Sequence, residues 1–328
     1  MEAGNEMKKA FKAIGKILLV ILSLIILSLL GVFIYHRINL SKEASLFSNP
    51  PVGELVEVDG HKMNVYTYGE GEDTLVFLAG AFTTSPILDF KDFTDQIKDD
   101  YKIVIIEKYG YGFSDITDDD RTTDIMVDQD RKALTAAGIE GPYILCPHSF
   151  SGLEAIYWAQ NYPEEVKAIV GLDMAVADSY KIDDYSEENV TKAVKGLKIY
   201  DVARNIGIVR LFANSSSYPD YLSDTETSYI KTIASRGYMN KTIQSEVSHI
   251  NDDVALVDKN PVPDVPTLLL ISDGSGTTGE RWIDSELDYA SNLSNVKTVQ
   301  LNCGHAVYHE KPEEVKNEME SFIDSLED

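Results

Sequence analysis

The chain is poor in cysteine and in positive charge, and it has neither internal repeats nor low-complexity stretches. Its 328 residues include two cysteines, Cys146 and Cys303, too few for a disulfide-built scaffold. They read as two small buried side chains rather than a bridged pair. Lys and Arg number 29 against 54 Asp and Glu, a net charge of −25. The shortage is uneven: residues 1–42 hold six of the positive charges and two of the negative, leaving 23 against 52 in the remainder. A domain that acidic repels phosphate backbones and anionic headgroups, which argues against nucleic acid as a partner. The acidity itself reads as a solvated surface. No Walker-type glycine loop and no zinc-ligand spacing occurs, so neither a cofactor nor a metal is expected.

What the sequence does have, first, is one long apolar run. Nineteen residues from Ile17 to Tyr35 carry no charge. As a helix they would span about 28 Å, close to the ~30 Å hydrocarbon core of a bilayer. Lys8, Lys9, Lys12 and Lys16 precede the run, and only Arg37 and Lys42 follow closely. By the positive-inside rule the expected arrangement is a cytoplasmic tail at 1–16, a transmembrane helix at 17–35, a linker at 36–50 and an extracytoplasmic domain from 51. A cleaved signal peptide would have a shorter apolar stretch ending in small residues. Gly31-Val32-Phe33-Ile34-Tyr35 offers no such site, and Tyr35 suits an interfacial anchor.

Beyond residue 56 short β-rich runs alternate with helical patterns, the mark of a mostly parallel sheet with helices on both faces. Val56–Val58 and Lys62–Tyr68 flank the turn pair Asp59-Gly60 and read as an antiparallel hairpin. Six buried strands are expected at Thr74–Leu78, Lys102–Ile106, Tyr143–Cys146, Ala168–Leu172, Thr267–Ile271 and Val296–Leu301. Their continuous apolar character suits strands covered on both faces. Helices are expected at Asp124–Ala137, Gly152–Asn161, Arg281–Asn292 and Pro312–Ser325. Residues 177–260 break the alternation with helical patterns at Glu187–Asp201 and Glu226–Ser235 and no convincing strand. This insertion reads as a helical cap over the carboxyl edge of the sheet. Its tyrosines (Tyr180, Tyr185, Tyr200, Tyr218, Tyr221, Tyr229, Tyr238) read as packing or surface residues, and none is assigned to a site.

After the strand at Tyr143–Cys146 comes Pro147-His148-Ser149-Phe150-Ser151-Gly152, then a helix. A serine on a sharp strand-to-helix turn is a nucleophile elbow, usually G-x-S-x-G, with small residues two before and two after because the backbones crowd there. Pro147 and Ser151 stand at the glycine positions. Ser151 is small enough, and a proline just past the end of the ladder forfeits no hydrogen bond. Were Ser151 the nucleophile, bulky Leu153 would sit two residues later, so Ser149 is the candidate. A serine that merely caps the following helix is the bland alternative for the hexapeptide alone.

Four motifs in order resemble the α/β-hydrolase family and cover residues 56–328. They are Cys146-Pro147-His148-Ser149, Asn161-Tyr162-Pro163-Glu164-Glu165-Val166, Lys108-Tyr109-Gly110-Tyr111-Gly112-Phe113-Ser114-Asp115, and Cys303-Gly304-His305 with Glu310-Lys311-Pro312-Glu313-Glu314-Val315. The resemblance implies an α/β fold: a mostly parallel eight-stranded sheet with helices on both faces, here with a cap at about 177–260 inside a domain spanning 51–328.

It also implies a catalytic set. A serine hydroxyl needs a base, and histidine titrates near working pH. The family carries its base after the last strand, at His305. His309 lies four residues on, and His148, beside the serine, is expected to be a supporting residue. The acid has two candidates. Most relatives carry it in a G-x-x-D turn after the penultimate strand, where Ser272-Asp273-Gly274-Ser275 puts Ser275 in the expected place and Asp273 two residues early. Other branches place it after the strand following the nucleophile helix, at Asp173. Asp173 is favoured over Asp273, since an aspartate at a strand's carboxyl end aims into the site. The oxyanion donors are expected to be the amides of Phe150 and Ala81, with Gly80 permitting the tight turn. Ala79 stands where relatives have histidine.

The expected activity is acyl transfer to water from a small or medium ester or amide. Position 149 being serine disfavours the dehalogenase and epoxide-hydrolase branches, which use an aspartate nucleophile. Within the serine branch esterases, lipases, proline iminopeptidases and cofactor-free haloperoxidases remain open. A reading from another class is a catalytically inactive domain displayed as a binding module, motivated by the departures at Ala79, Pro147 and Ser151.

Overall fold

The apolar runs of five or six residues become the middle of a sheet. The computed structural model describes residues 2–215 and 218–326. The strands are β1 (Glu54–Val58), β2 (His61–Tyr68), β3 (Thr74–Leu78), β4 (Lys102–Glu107), β5 (Tyr143–Ser149), β6 (Val166–Met174), β7 (Thr267–Ile271) and β8 (Val296–Gln300). Among the described residues they form one eight-stranded sheet in the order β1-β2-β4-β3-β5-β6-β7-β8. β1 and β2 are antiparallel to their neighbours and the other pairs are parallel. The expected mostly parallel sheet and its leading hairpin are both present.

Alternation decides which face each side chain serves. Val76, Val104, Leu145, Ile169 and Leu269 belong to one buried cluster, and their neighbours Leu75, Ile103, Ile144, Ala168 and Leu268 belong to another. The first face is covered by α3 (Thr123–Ala136), α4 (Gly152–Asn161) and α10 (Glu280–Ala290), through Leu134, Trp158 and Trp282. The second is covered by α2 (Pro86–Thr94) and α12 (Pro312–Asp324), through Phe90, Phe93, Met319 and Phe322. A fully buried side chain such as Phe77 contributes about 1.5–3 kcal/mol by leaving water. Between β6 and β7 lie α5 (Glu187–Asn205), α6 (Ile208–Ser215), α7 (Asp224–Gly237), α8 (Lys241–Ser248) and α9 (Ile250–Asp258), the helical insertion expected at 177–260. A short α11 (Val307–Glu310) follows β8.

The N-terminal segment differs from its expected division. A single helix, α1, runs Glu2–Ser48 with no break at residue 36. The segment expected as a linker at 36–50 holds no proline or glycine before Pro50-Pro51, so nothing stops the helix until those prolines do. The apolar stretch of α1 stands exposed, and it is long and apolar enough to cross a membrane or to serve as a signal sequence. Cys146 and Cys303 are buried and unbridged, as expected.

Candidate active site

Parallel strands deliver their carboxyl ends to one edge, and the candidate site residues lie there. β3 leads into Ala79-Gly80-Ala81, β5 ends at Ser149, β6 carries Asp173 one residue from its end, β7 leads into Ser272, and His305 follows β8. Because β5 is central, between β3 and β6, these residues converge. This is the edge at which open α/β sheets bind ligands.

The elbow is a strained turn. Ser149 has φ +55°, a left-handed conformation that a non-glycine residue adopts only when its surroundings fix it. Three contacts do so. The Ala175 amide donates to the Ser149 carbonyl at 2.7 Å. The Ser151 hydroxyl donates to the Leu78 carbonyl at 2.6 Å and accepts from the His148 amide at 3.0 Å. Gly152 packs so tightly on the Ala175 carbonyl that a Cβ there has no room. The serine at the usual glycine position therefore ties β3 to the turn. Pro147 sits in the last pair of the β3–β5 ladder, opposite Leu78, rather than just beyond it.

Gly80 is needed for closeness. A Cβ on it would lie 2.7 Å from Ser149 Cβ and 3.3 Å from Ser149 Oγ. The serine hydroxyl thus lies against the Gly80-Ala81 turn. Among the described residues, the Ala81 and Phe150 amides donate to no acceptor. Phe150 also stands just before α4, whose amino end favours negative charge.

The imidazole is held from three sides. His305 Nδ1 lies 2.5 Å from Asp173 Oδ2. Trp282 meets the ring edge-on at 5.3 Å. His148 Nε2 lies 3.2 Å from the His305 carbonyl, which can only accept, so His148 is protonated on Nε2 there and donates. Burial lowers the pKa of His148 to about 4, keeping the ring neutral for that role. The two histidine rings are 4.6 Å apart.

Asp173 is fully buried, with φ +50°, and its other oxygen accepts from the Ser272 amide at 2.6 Å. Asp273, the other candidate acid, is exposed and turned to Ser275, with that residue's amide at 2.8 Å; the Ser275 side chain and then its amide lower the Asp273 pKa. The structure thus brings Asp173, not Asp273, to His305. His309 lies elsewhere, 3.3 Å from Asp89 and stacked on Tyr221. The Ser149 hydroxyl has no hydrogen-bond partner among the described residues. Serine–base hydrogen bonds in apo hydrolases are often long and close only around substrate.

Two contributors were not singled out from the sequence. Trp282 and Glu286 lie on α10, where they read only as core positions. Burial, with the Asp173 carboxylate nearby, pushes the Glu286 carboxyl well above the ordinary range, so a neutral acid stands behind the aspartate. Tyr218 and Tyr221, left unassigned among the cap tyrosines, line a cavity of about 330 Å³ that begins at Ala81 and Phe82. No group of three or more histidine, cysteine or acidic side chains able to hold a metal occurs among the described residues.

No family model matches the chain. It is 32% identical over 319 residues to the uncharacterized protein YbdG of Bacillus subtilis, across 94% of this chain and 96% of that one. Among solved structures, an epoxide hydrolase from Bacillus megaterium superposes with TM-score 0.64 at 18% identity, over 83% of this chain and all of that one. The esterase EaEST from Exiguobacterium antarcticum superposes with TM-score 0.63 at 16% identity, over 84% of this chain and all of the esterase. The chain has the α/β-hydrolase fold and belongs to the same family as YbdG.

Proposed function

We propose that the protein is a membrane-anchored serine hydrolase acting on an ester or amide carbonyl. The observation that carries this reading is the His305–Asp173 pair at 2.5 Å, set beside a strained serine whose hydroxyl lies against the Gly80-Ala81 turn. Asp173 holds the imidazole with Nδ1 protonated, which leaves Nε2 to act as base. His305 takes the Ser149 proton as Oγ bonds to the carbonyl carbon. The oxyanion that forms faces the free amides of Ala81 and Phe150, donors that need no rearrangement. The C–O or C–N bond then breaks, and the leaving group departs with the proton from His305. Water attacks the acyl-serine, His305 takes one of its protons, and the acid is released as that proton returns to Ser149.

One further assignment is a supporting role. His148 keeps the His305 loop against the elbow. Among anchor and signal sequence, the anchor is favoured by α1 continuing unbroken into the part of the chain that packs on the cap. The lysines before the apolar run favour an amino end in the cytoplasm and a hydrolase domain outside.

A fluorophosphonate activity probe applied to the purified full chain tests the enzyme reading. Labelling that Ser149→Ala abolishes supports it. Absence of labelling in a folded wild type favours the inactive binding module, the reading suited to a serine without a hydrogen bond to its base.

A further inference from the structure

Helix α1 is fixed to the cap at the end of its apolar run. A Cβ on Gly207, in the turn between α5 and α6, would lie 3.1 Å from the Val32 carbonyl and 2.5 Å from His36 Cβ. Arg210 on α6 grips both Glu43 oxygens at 2.6 Å and donates from Nε to His36 Nδ1 at 3.2 Å. Phe47 lies 5.5 Å from Phe113, with the Arg236 guanidinium 4.0 Å from its ring. The α5–α6 turn is thereby held level with Val32 to His36, at the carboxyl end of the apolar run.

Both helices leaving that turn present apolar side chains to the outside. Ile199 and Val202 on α5 are 73% and 61% exposed, and Leu211 and Phe212 on α6 are 46% and 67% exposed. Single exposed apolar residues are ordinary, but four on adjoining helices beside an exposed apolar helix form a patch. Lys195 and Lys198 share the stripe of Ile199 and Val202 by i, i+3, i+4, i+7 spacing. Lysine beside apolar side chains is the pattern of a helix lying in a bilayer interface, where the stems follow the apolar layer and the ammonium groups reach water.

Two cavities lie between this patch and the Gly80-Ala81 turn. The cavity that begins at Ala81 shares Thr84, Tyr218 and Ile230 with a second cavity of about 320 Å³, which is walled by Val209, Phe212 and Ala213 of α6. The two join the oxyanion turn to the helix that carries the exposed patch.

We infer that this face of the cap lies in the membrane interface and that the substrate is a long-chain acyl ester drawn from the bilayer. Its carbonyl sits at Ala81 and its chain runs past Tyr218 and Ile230 toward α6. A chain moving from bilayer to groove along this path never exposes its methylenes to water. The inference rests on the anchored serine-hydrolase reading and narrows its substrate.

The test uses the full chain in phosphatidylcholine vesicles. Val202→Cys and Leu211→Cys take an environment-sensitive fluorophore, while native Cys146 and Cys303 are buried and escape labelling. Spin-labelled lipid should quench both positions several-fold more than a label at Glu164→Cys, which is exposed near the amino end of β6. Equal quenching overturns the surface. Val202→Asp/Leu211→Asp should keep turnover of a water-soluble short-chain p-nitrophenyl ester within about twofold. It should lose about tenfold or more on a long-chain ester carried in the vesicles. Loss on both esters, or on neither, overturns the inference. If the wild type cleaves neither, the hydrolase reading falls with the substrate claim, and the quenching still decides the surface.

Discussion

Helix α4 stands between two buried groups of ionisable side chains that differ in kind. At its amino end lies the set Ser149, His305 and Asp173. Within the first turn, on another side, Glu154 accepts from Lys108 at 2.5 Å, with Glu246 3.7 Å from the same ammonium and the Tyr111 hydroxyl 2.9 Å from Glu246. Asp130 lies nearby with neither oxygen partnered among the described residues, and burial pushes it well above the ordinary carboxylate range. Burial opposes the Lys108 charge, but Glu154, Glu246 and Asp130 outweigh it and raise the pKa. By perturbed titration alone this cluster is the stronger site candidate. Its members nonetheless come from α3, α4, α8 and the loop after β4, which meet sideways, and Lys108 is 1% exposed. The first set instead grades from a fully buried Asp173 through a His305 side chain 23% exposed to a half-buried serine at the strand ends. Reactive chemistry needs that gradient from a fixed charge to an open hydroxyl, and a shifted pKa does not supply it.

Substitutions break the comparison in order of effect. Ser149→Ala should cut ester turnover by about 10⁵–10⁶-fold with an unchanged urea midpoint. Asp173→Asn should cost about 10⁴-fold by favouring the wrong imidazole tautomer, whereas Asp273→Asn should change turnover less than about threefold. Equal losses would reassign the acid. Lys108→Met should act on folding instead. It strands Glu154 and Glu246 without their cation and should cost about 3–5 kcal/mol in urea unfolding. A stable Lys108→Met variant with lost turnover would move the chemistry toward the second cluster.

The smallest effect is a pH dependence. Burial raises the pKa of Asp253, beside this cluster, to about 7 from an ordinary 3.8. The folded state therefore keeps a proton that the unfolded chain releases, so this group's contribution falls as pH rises from about 4 to 7. Asp253→Asn retains an acceptor for the Thr123 amide, now 2.7 Å from Asp253 Oδ1, and removes the titration. Relative to wild type, the variant should gain on the order of 1 kcal/mol per pH unit across that window. A gap constant between pH 5 and 8 would contradict this.

Much of this was legible in the sequence, for identifiable reasons. Thr74–Leu78 and Thr267–Ile271 are β3 and β7 to the residue, because buried parallel strands are unbroken apolar runs bounded by polar turns. Ser149, His305 and Asp173 each follow or end such a run. Other elements carried signals that were passed over. α2 opens with Ser85-Pro86, a cap and a first-turn proline, with the Leu88 amide 3.5 Å from the Ser85 hydroxyl. The extension of α1 past residue 36 was hidden because its polar residues bond to the distant cap, as Glu43 does to Arg210. Trp282 and the Lys108–Glu246 contact depend on packing between segments far apart in the chain, which no local pattern encodes.

In the proposed reaction Ser149 carries the acyl group. Turnover of a p-nitrophenyl ester by the full chain, quenched in acid within the first cycle and read by peptide mass spectrometry, addresses it directly. The acyl mass should appear on the peptide containing Ser149 and be missing in Ser149→Ala. An acyl group on another residue, or hydrolysis persisting in Ser149→Ala at the wild-type rate, would contradict it.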